Sequence, residues 1–177
     1  MASGCKIFST IDIKDAYYMI PVSPEDSNKL SITTPIGNFR YRYLPMGLAS
    51  SSTYFQRLMN EVLSGIPQVF AYLNDIIIMS ETQAEHSHLL DLVFQRLQSH
   101  GLIVNVDKCT LAASSIKFLG HLVSEKGIAP SPDKAQGISE FHRPNTKTQL
   151  RCFLGMVQFY ANSSLSVLRS YNPYTML

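Results

Sequence analysis

The sequence contains no long hydrophobic run. Its longest uninterrupted apolar segments lie at residues 69–73 and 76–79, well short of the roughly 18 residues that a membrane-spanning helix requires. Residues 1–6 also lack the basic-then-apolar order of a secretory signal peptide. We therefore expect a chain that acts inside the cell and does not cross a membrane.

Cysteine and net charge are low as well. Cys5, Cys109 and Cys152 are widely spaced and odd in number, and they fit neither a disulfide framework nor a zinc-binding pattern. This favours a reducing compartment and does not distinguish cytoplasm from nucleus. The formal net charge is only +2, whereas many nucleic-acid-binding domains are strongly basic, so a nucleic-acid partner has to be argued from motifs.

The hydrophobic pattern predicts one compact α+β domain. A hydrophobic content of 45% over 177 residues is sufficient for one folded core. Runs rich in β-branched and aromatic residues predict strands at residues 6–13, 30–34, 39–43, 69–73, 76–79 and 116–123. Helical periodicity predicts a helix that ends at Leu63 after a serine cap among residues 50–52, and helices at 81–99, from 131 and at 146–160. This order indicates an antiparallel sheet with helices on one side.

One predicted strand, residues 39–43, has a basic face. Three aromatic residues alternate along it with Arg40 and Arg42. Because successive side chains of a strand point to opposite faces, both guanidinium groups are expected on the face opposite the aromatic rings.

Two acidic positions lie where predicted strands end. Asp12 closes the first strand, and Asn74-Asp75 separates two apolar runs. A carboxylate between buried strands is costly unless it is hydrated or bound to a cation. If the first strand lies beside this hairpin, Asp12 and Asp75 could share Mg²⁺ for two-metal phosphoryl transfer. An Asn-Asp pair also fits an ordinary turn, so the spacing alone leaves both interpretations open.

Four sequence blocks resemble, in order, those of one enzyme family. The blocks are FSTIDIKDAY at residues 8–17, YLPMGL and TYFQ at 43–48 and 53–56, YLND at 72–75, and FLGH at 118–121. They are similar to the first catalytic block, the next block, the YxDD turn and the primer grip of reverse transcriptases from gypsy-class LTR retrotransposons and retroviruses. Weaker likenesses extend the match over residues 7–160.

The resemblance implies a reverse-transcriptase palm of the α+β class, an antiparallel sheet backed by helices around a ferredoxin-like core. It assigns residues 1–125 to the palm with partial fingers and residues 126–160 to the start of the thumb, and it leaves 161–177 as a divergent tail. The implied partners are an RNA or DNA template with its primer and deoxynucleoside triphosphates. Compared with the family, the chain looks truncated at both ends, without complete fingers and thumb or a ribonuclease H portion.

The resemblance also implies roles for individual residues. Asp12 and Asp75 would be catalytic and would bind two Mg²⁺ ions, with Asn74 in the place of a further catalytic Asp. Glycine at position 47 would let the backbone approach the nucleotide closely. The implied nucleotide-binding set is Ile13, Tyr17, Met46, Gly47 and Gln56. The implied primer grip is Phe118, Leu119, Gly120 and His121.

Other positions have competing interpretations. Tyr17 matches the steric gate that excludes a ribose 2′-hydroxyl, whereas a core aromatic with a surface hydroxyl fits the sequence equally well. Lys108 could meet phosphate or act as an acid, but a solvated lysine is the simpler interpretation, and we assign it no catalytic role. His86 and His88 diverge by about 200° around a helix and are expected to be ordinary surface residues.

Asn74 is the departure with the largest expected effect. It keeps nearly the shape of Asp but removes one negative charge and one strong oxygen ligand. A loss of about a thousandfold in rate, or roughly 4 kcal/mol of transition-state stabilisation, is reasonable for such a change, so we expect little or no polymerase activity. The alternatives are a non-catalytic nucleic-acid-binding remnant, which would use Arg40, Arg42 and the primer grip, and an inactive pseudogene product.

Overall fold

The computed structural model describes residues 4–161. Within them the strands are β1 (Ile7–Asp12), β2 (Ser31–Thr34), β3 (Gly37–Arg40), β4 (Val69–Tyr72), β5 (Asp75–Ser80), β6 (Thr110–Ala113), β7 (Ser115–Phe118), β8 (His121–Ser124) and β9 (Gly127–Pro130). The helices are α1 (Ser51–Val62), α2 (Gln83–Ser99), α3 (Pro132–Ser139) and α4 (Lys147–Ala161). Every predicted helix is present, and the predicted tail lies almost wholly outside the described residues.

A four-stranded antiparallel sheet forms the centre of the fold, with the strand order β4-β5-β1-β6. Helix α1 lies between β1 and β4 in the chain, and α2 lies between β5 and β6. This β-α-β-β-α-β arrangement is ferredoxin-like. The predicted α+β class and the predicted antiparallel sheet are therefore confirmed.

The two faces of this sheet are covered differently. On one face, Ile11 and Ile76 pack against buried side chains of α1 and α2, among them Phe55 and Val93. Burial of each such side chain contributes roughly 1.5–3 kcal/mol to folding. On the other face, a smaller cluster joins the sheet to the hairpin of β7 and β8; its members are Cys5, Phe8, Ile77, Met79, Ile116 and Val123.

The second face is covered by a three-stranded sheet, β7-β8-β9. The sequence predicted one strand over residues 116–123, and that prediction was wrong. Leu119 and Gly120 both have positive φ, at 49° and 78°, and they reverse the chain between β7 and β8. A glycine favours this conformation, but the apolar residues on either side, at positions 116, 118, 122 and 123, concealed the turn by predicting one strand.

A smaller two-stranded sheet, β2-β3, lies apart from the central sheet. The strand predicted at residues 39–43 ends early, at Arg40, because the next residues pair with a different segment. The Val22 N–H donates to the Arg42 carbonyl at 2.9 Å, and the Leu44 N–H donates to the Ile20 carbonyl at 2.9 Å. Arg40 and Arg42 are both exposed.

His86 is fully buried, so the prediction that it is an ordinary surface residue was wrong. Its ring lies between two buried serines, with Nε2 2.6 Å from Ser9 Oγ and Nδ1 2.8 Å from Ser80 Oγ. Ser9 Oγ accepts from the Ala112 N–H, and Ser80 Oγ donates to the Thr82 carbonyl. Ser9 therefore donates to Nε2, and Nδ1–H donates to Ser80, which fits a neutral ring. His88 is exposed, as predicted.

No helix within residues 4–161 is both long enough and apolar enough to cross a membrane.

The buried His86 makes stability depend on pH. Burial lowers the pKa of His86, so below the ordinary histidine pKa of about 6.5 the unfolded chain takes up a proton that the folded chain does not. The stability contributed by the neutral ring is complete above that pH and is lost as pH falls toward the folded-state pKa. We expect the free energy of unfolding, measured with urea, to fall as pH is lowered from about 7 through the ordinary histidine pKa of about 6.5.

The His86→Gln variant should lose this part of the pH dependence. The matched control is His88→Gln, two residues along the same helix and exposed. Equal pH dependence in the two variants would contradict the assignment.

Candidate active site

Pairing between the two central strands brings the predicted carboxylates together. In the antiparallel register of β1 and β5, Asp12 lies directly opposite Asp75. Because side chains alternate along a strand, both belong to the face that carries Phe8 and Ile77, away from α1 and α2. The N–H of Asn105 donates to the Asp12 carbonyl at 2.8 Å and fixes the end of β1.

The two carboxylates line a groove of about 240 Å³. Its other walls include Lys108, Lys117 and the tip of the β7–β8 hairpin, at Phe118 and Leu119. Two members of the predicted primer grip therefore lie in the same groove as the predicted catalytic residues. The other two, Gly120 and His121, lie at the turn and the start of β8.

The YxDD-like turn lies one residue earlier than the sequence indicated. Strand β4 ends at Tyr72 and β5 begins at Asp75, so the two turn residues are Leu73 and Asn74. Leu73 has a φ of 53°, which is uncommon for a residue with a branched side chain. The Asn74 carbonyl accepts from the Ile13 N–H at 2.8 Å, which attaches the turn to the end of β1.

The side chain of Asn74 points toward Asp12. Its Nδ2 donates to Asp12 Oδ2 at 3.2 Å, so a hydrogen-bond donor stands where a carboxylate would repel Asp12. Among residues 4–161 no group of three or more His, Cys, Asp or Glu side chains is arranged to hold a metal ion. The site offers two carboxylates and one neutral amide.

Charge in the groove is partly balanced by a lysine. Burial raises the pKa of Asp75, repulsion from Asp12 raises it further, and Lys108 opposes both effects. Lys108 Nζ lies 4.0 Å from Asp12 Oδ1, although the lysine side chain is 67% exposed. No sequence pattern identifies Lys108 as part of the site, because its approach to Asp12 depends on the short helical turn Val106–Lys108.

The predicted nucleotide-binding residues occupy varied environments. Tyr17 is half-buried and packs against the helix-side core, where its ring meets that of Phe55 edge-on at 5.7 Å. Ile13 is buried in the helix-side core. Met46 is 61% exposed, and Gly47 has a φ of 90° with open space around it.

Gln56 supports the turn from α1. Its Oε1 accepts from the Leu73 N–H at 2.8 Å, and its Nε2 donates to the Ala71 carbonyl at 3.0 Å and to Asn60 Oδ1 at 2.8 Å. The side-chain amide of Gln56 thus provides hydrogen-bond partners for backbone groups on both sides of Tyr72, the Ala71 carbonyl and the Leu73 N–H. Sequence reasoning missed this contact, because nothing in a helical pattern shows which turn a polar side chain reaches.

The fold and the groove agree with the sequence comparisons. A sequence model described as reverse transcriptase (RNA-dependent DNA polymerase) matches residues 2–123. This chain belongs to the reverse transcriptase family. The Tf2-3 and Tf2-7 transposon polyproteins of Schizosaccharomyces pombe are each 34% identical to it over 158 residues, which cover 88% of this chain. The expectation of a retrotransposon-type reverse transcriptase domain is confirmed.

Solved structures give the same family. A foamy viral protease-reverse transcriptase in complex with double-stranded DNA matches with a TM-score of 0.81 and 27% identity, covering 87% of this chain and 27% of that one. The foamy viral enzyme in complex with an RNA/DNA hybrid matches with a TM-score of 0.76 and 27% identity, covering 87% and 21%. The reverse transcriptase domain described here spans only 12% of the length of the Tf2 polyproteins.

The amide of Gln56 gives a prediction about stability. Gln56→Met keeps the volume but leaves the Leu73 N–H and the Ala71 carbonyl without their partner, which should lower the free energy of unfolding by about 1–3 kcal/mol. Urea unfolding measures this change. Gln95→Met, on the exposed face of α2, is the control and should alter stability far less. A cost no larger than that of the control would refute the supporting role.

The charges around Asp75 give a second prediction. Asp12→Asn removes the repulsion that helps to raise the pKa of Asp75, so this pKa should fall. Lys108→Gln removes an attraction and should raise it further. Titration of the Asp75 carboxyl carbon by NMR measures both shifts, and Asp91→Asn on the exposed surface of α2 serves as the control. Shifts of the same sign in the two groove variants would contradict this account.

Proposed function

We propose that this domain is the palm of an RNA-directed DNA polymerase that holds primer and template along the groove and performs little or no nucleotide addition. The observation that supports impairment is the hydrogen bond from Asn74 Nδ2 to Asp12 Oδ2 at 3.2 Å. In this proposal residues 1–125 form the palm with part of the fingers, and residues 126–160 form the start of the thumb.

The donor set suits Mg²⁺ in part. Asp12 and Asp75 are carboxylates facing one groove. Burial, together with repulsion from Asp12, raises the pKa of Asp75, and a shared cation would relieve that repulsion. When bound, two Mg²⁺ ions supply activation of the primer 3′-hydroxyl and stabilisation of the leaving pyrophosphate. With one carboxylate fewer, affinity should be reduced, because an amide oxygen is a neutral ligand.

The residues around the carboxylates would orient the substrates. Tyr17 would limit the space at the ribose 2′ position, and the backbone at Gly47 would allow close approach of the nucleotide. Met46 is exposed and available to the incoming base pair, whereas Ile13 would contribute through its backbone. Gln56 would act indirectly, by fixing the turn that carries Asn74.

Asn74 also affects Asp12 directly. While its amide donates to Oδ2, one oxygen of Asp12 is less available to a cation, and rotation of the amide to offer its oxygen would break that bond. An Asp at position 74 would instead raise the negative potential of the groove. Both effects act in the same direction, toward weaker cation binding in this chain.

Nucleic acid is the proposed partner of the groove. The foamy viral relatives were solved with double-stranded DNA and with an RNA/DNA hybrid. In this chain Lys108 and Lys117 stand in the groove wall, and Arg40 and Arg42 are exposed on the separate hairpin. These four cations would contact phosphates, and binding should therefore weaken as salt increases.

Retained binding without chemistry is the second candidate function. It is favoured by the same observation, since Asn74 removes a metal ligand but no basic residue. The two candidates differ in one respect only, which is whether any nucleotide is added to a bound primer.

The Asn74→Asp variant tests both candidate functions. Asn74→Asp should raise the rate of primer extension with Mg²⁺ by at least about a hundredfold, since a lost charged ligand costs several kcal/mol, and it should tighten Mn²⁺ binding measured by calorimetry. Asn74→Asp combined with Asp12→Ala is the matched control and should extend no primer.

Robust extension by the unaltered chain would refute impairment. Salt-dependent primer–template binding by both proteins, with extension by neither, would favour the non-catalytic alternative.

A further inference from the structure

The turn at the tip of the β7–β8 hairpin is held from behind by the last turn of α4. Phe118 and Leu119 face the groove with the carboxylates. On the opposite side, the ring of His121 lies 5.6 Å from that of Phe159 and 5.2 Å from that of Tyr160, measured between centroids. These are contact distances for aromatic side chains. A wall of the groove is therefore attached to a helix that lines no part of it.

The conformation of this turn depends on His121 and on one backbone bond. Nδ1 of His121 donates to the Leu119 carbonyl at 3.1 Å, which requires a proton on Nδ1. The Ser131 N–H donates to the Gly120 carbonyl at 3.0 Å and ties the turn to the start of α3. Because Leu119 has a φ of 49°, a conformation that costs free energy in a side chain of this type, such support is needed.

Tyr160 comes closest to the turn at Gly120. A Cβ added to Gly120 would lie 2.9 Å from Tyr160 Oη, so the Tyr160 side chain would have to shift to admit it. Gly127, which also has positive φ, has open space around it. Gly120 is thus favoured by its conformation, and a side chain there would displace Tyr160.

We propose that His121 and Tyr160 are positioning residues that hold the turn at residues 118–121 against the catalytic groove, so that α4 sets the distance between this wall and the carboxylates. The role rests on the proposed function of the groove as a primer–template site. Loss of the contact lets the turn relax from its strained conformation, and the primer end is then no longer aligned with Asp12 and Asp75.

Hydrogen exchange tests the contact without any nucleic acid. In Tyr160→Ala, the backbone amide of Ser131, which donates to the Gly120 carbonyl, should exchange about tenfold faster than in the unaltered chain. Tyr160→Phe keeps the ring against His121 and should preserve slow exchange. Leu154→Ala, which truncates an exposed side chain of α4, is the control. Exchange in Tyr160→Ala no faster than in this control would overturn the proposal.

A double-mutant cycle tests the close approach at Gly120. Gly120→Ala should lower the melting temperature more in the presence of Tyr160 than in a Tyr160→Phe background, because the phenylalanine lacks the atom that the new Cβ would meet. Gly127→Ala is the control, since Gly127 also has a positive φ but open space around it, so its effect should not depend on position 160. Equal effects of Gly120→Ala in both backgrounds would contradict the geometry.

Primer extension in an Asn74→Asp background tests the consequence for the reaction. Tyr160→Ala should lower kcat about tenfold while the dissociation constant for primer–template changes less than about twofold, because misalignment affects the transition state more than binding. Tyr160→Phe should restore kcat. An unchanged kcat in Tyr160→Ala would overturn the positioning role. If the Asn74→Asp protein extends no primer, the proposed function fails, and the exchange experiment still decides whether the contact positions the turn.

Discussion

The antiparallel pairing of β1 with β5 is the interaction on which the site depends. Its register places Asp12 opposite Asp75, and a slip of one residue between the two strands would turn the two carboxylates to opposite faces of the sheet. That register is fixed by burial, since Ile11 and Ile76 must face α1 and α2 while Phe8 and Ile77 face the β7–β8 hairpin. The same alternation that places one hydrophobic cluster on each face of the sheet therefore also places the two carboxylates side by side.

The sequence was sufficient for the fold class, for the helices and for the acidic pair. Helical periodicity is strong in residues that become α1 and α2, and block order located Asp12 and Asp75. Prediction from the sequence failed where a single contact outweighs the local hydrophobic pattern. His86 has a polar side chain, yet it is buried, because Ser9 and Ser80 form hydrogen bonds with both of its ring nitrogens. The turn at Leu119 and Gly120 divides residues 116–123, whose apolar side chains predict one strand.

Other features of the site could not be predicted because they are long-range. The contact of Gln56 with the Leu73 backbone joins a helix to a turn 17 residues away, and the approach of Lys108 to Asp12 depends on how the segment before β6 crosses the sheet end. Asn74 is a different case. The residue is evident in the sequence, but its effect on Asp12 depends on how its side-chain amide is oriented. Its amide donates to Asp12, whereas an Asp at position 74 would repel Asp12. Under the proposed function, the same residue that would weaken cation binding would therefore also stabilise the site in the absence of a cation.

The position of β1 has a consequence for how the chain acquires its structure. This strand is made first, yet both of its neighbours in the sheet, β5 and β6, come much later. Asn74 and Asp12 are 62 residues apart in sequence, and Ser9 and Ala112 are 103 apart. Pairings of such long range slow folding, because loop closure precedes any gain from contact. During synthesis β1 therefore has no sheet partner until β5 has emerged from the ribosome, and its second neighbour, β6, follows only after α2. Its apolar side chains can promote aggregation during this interval.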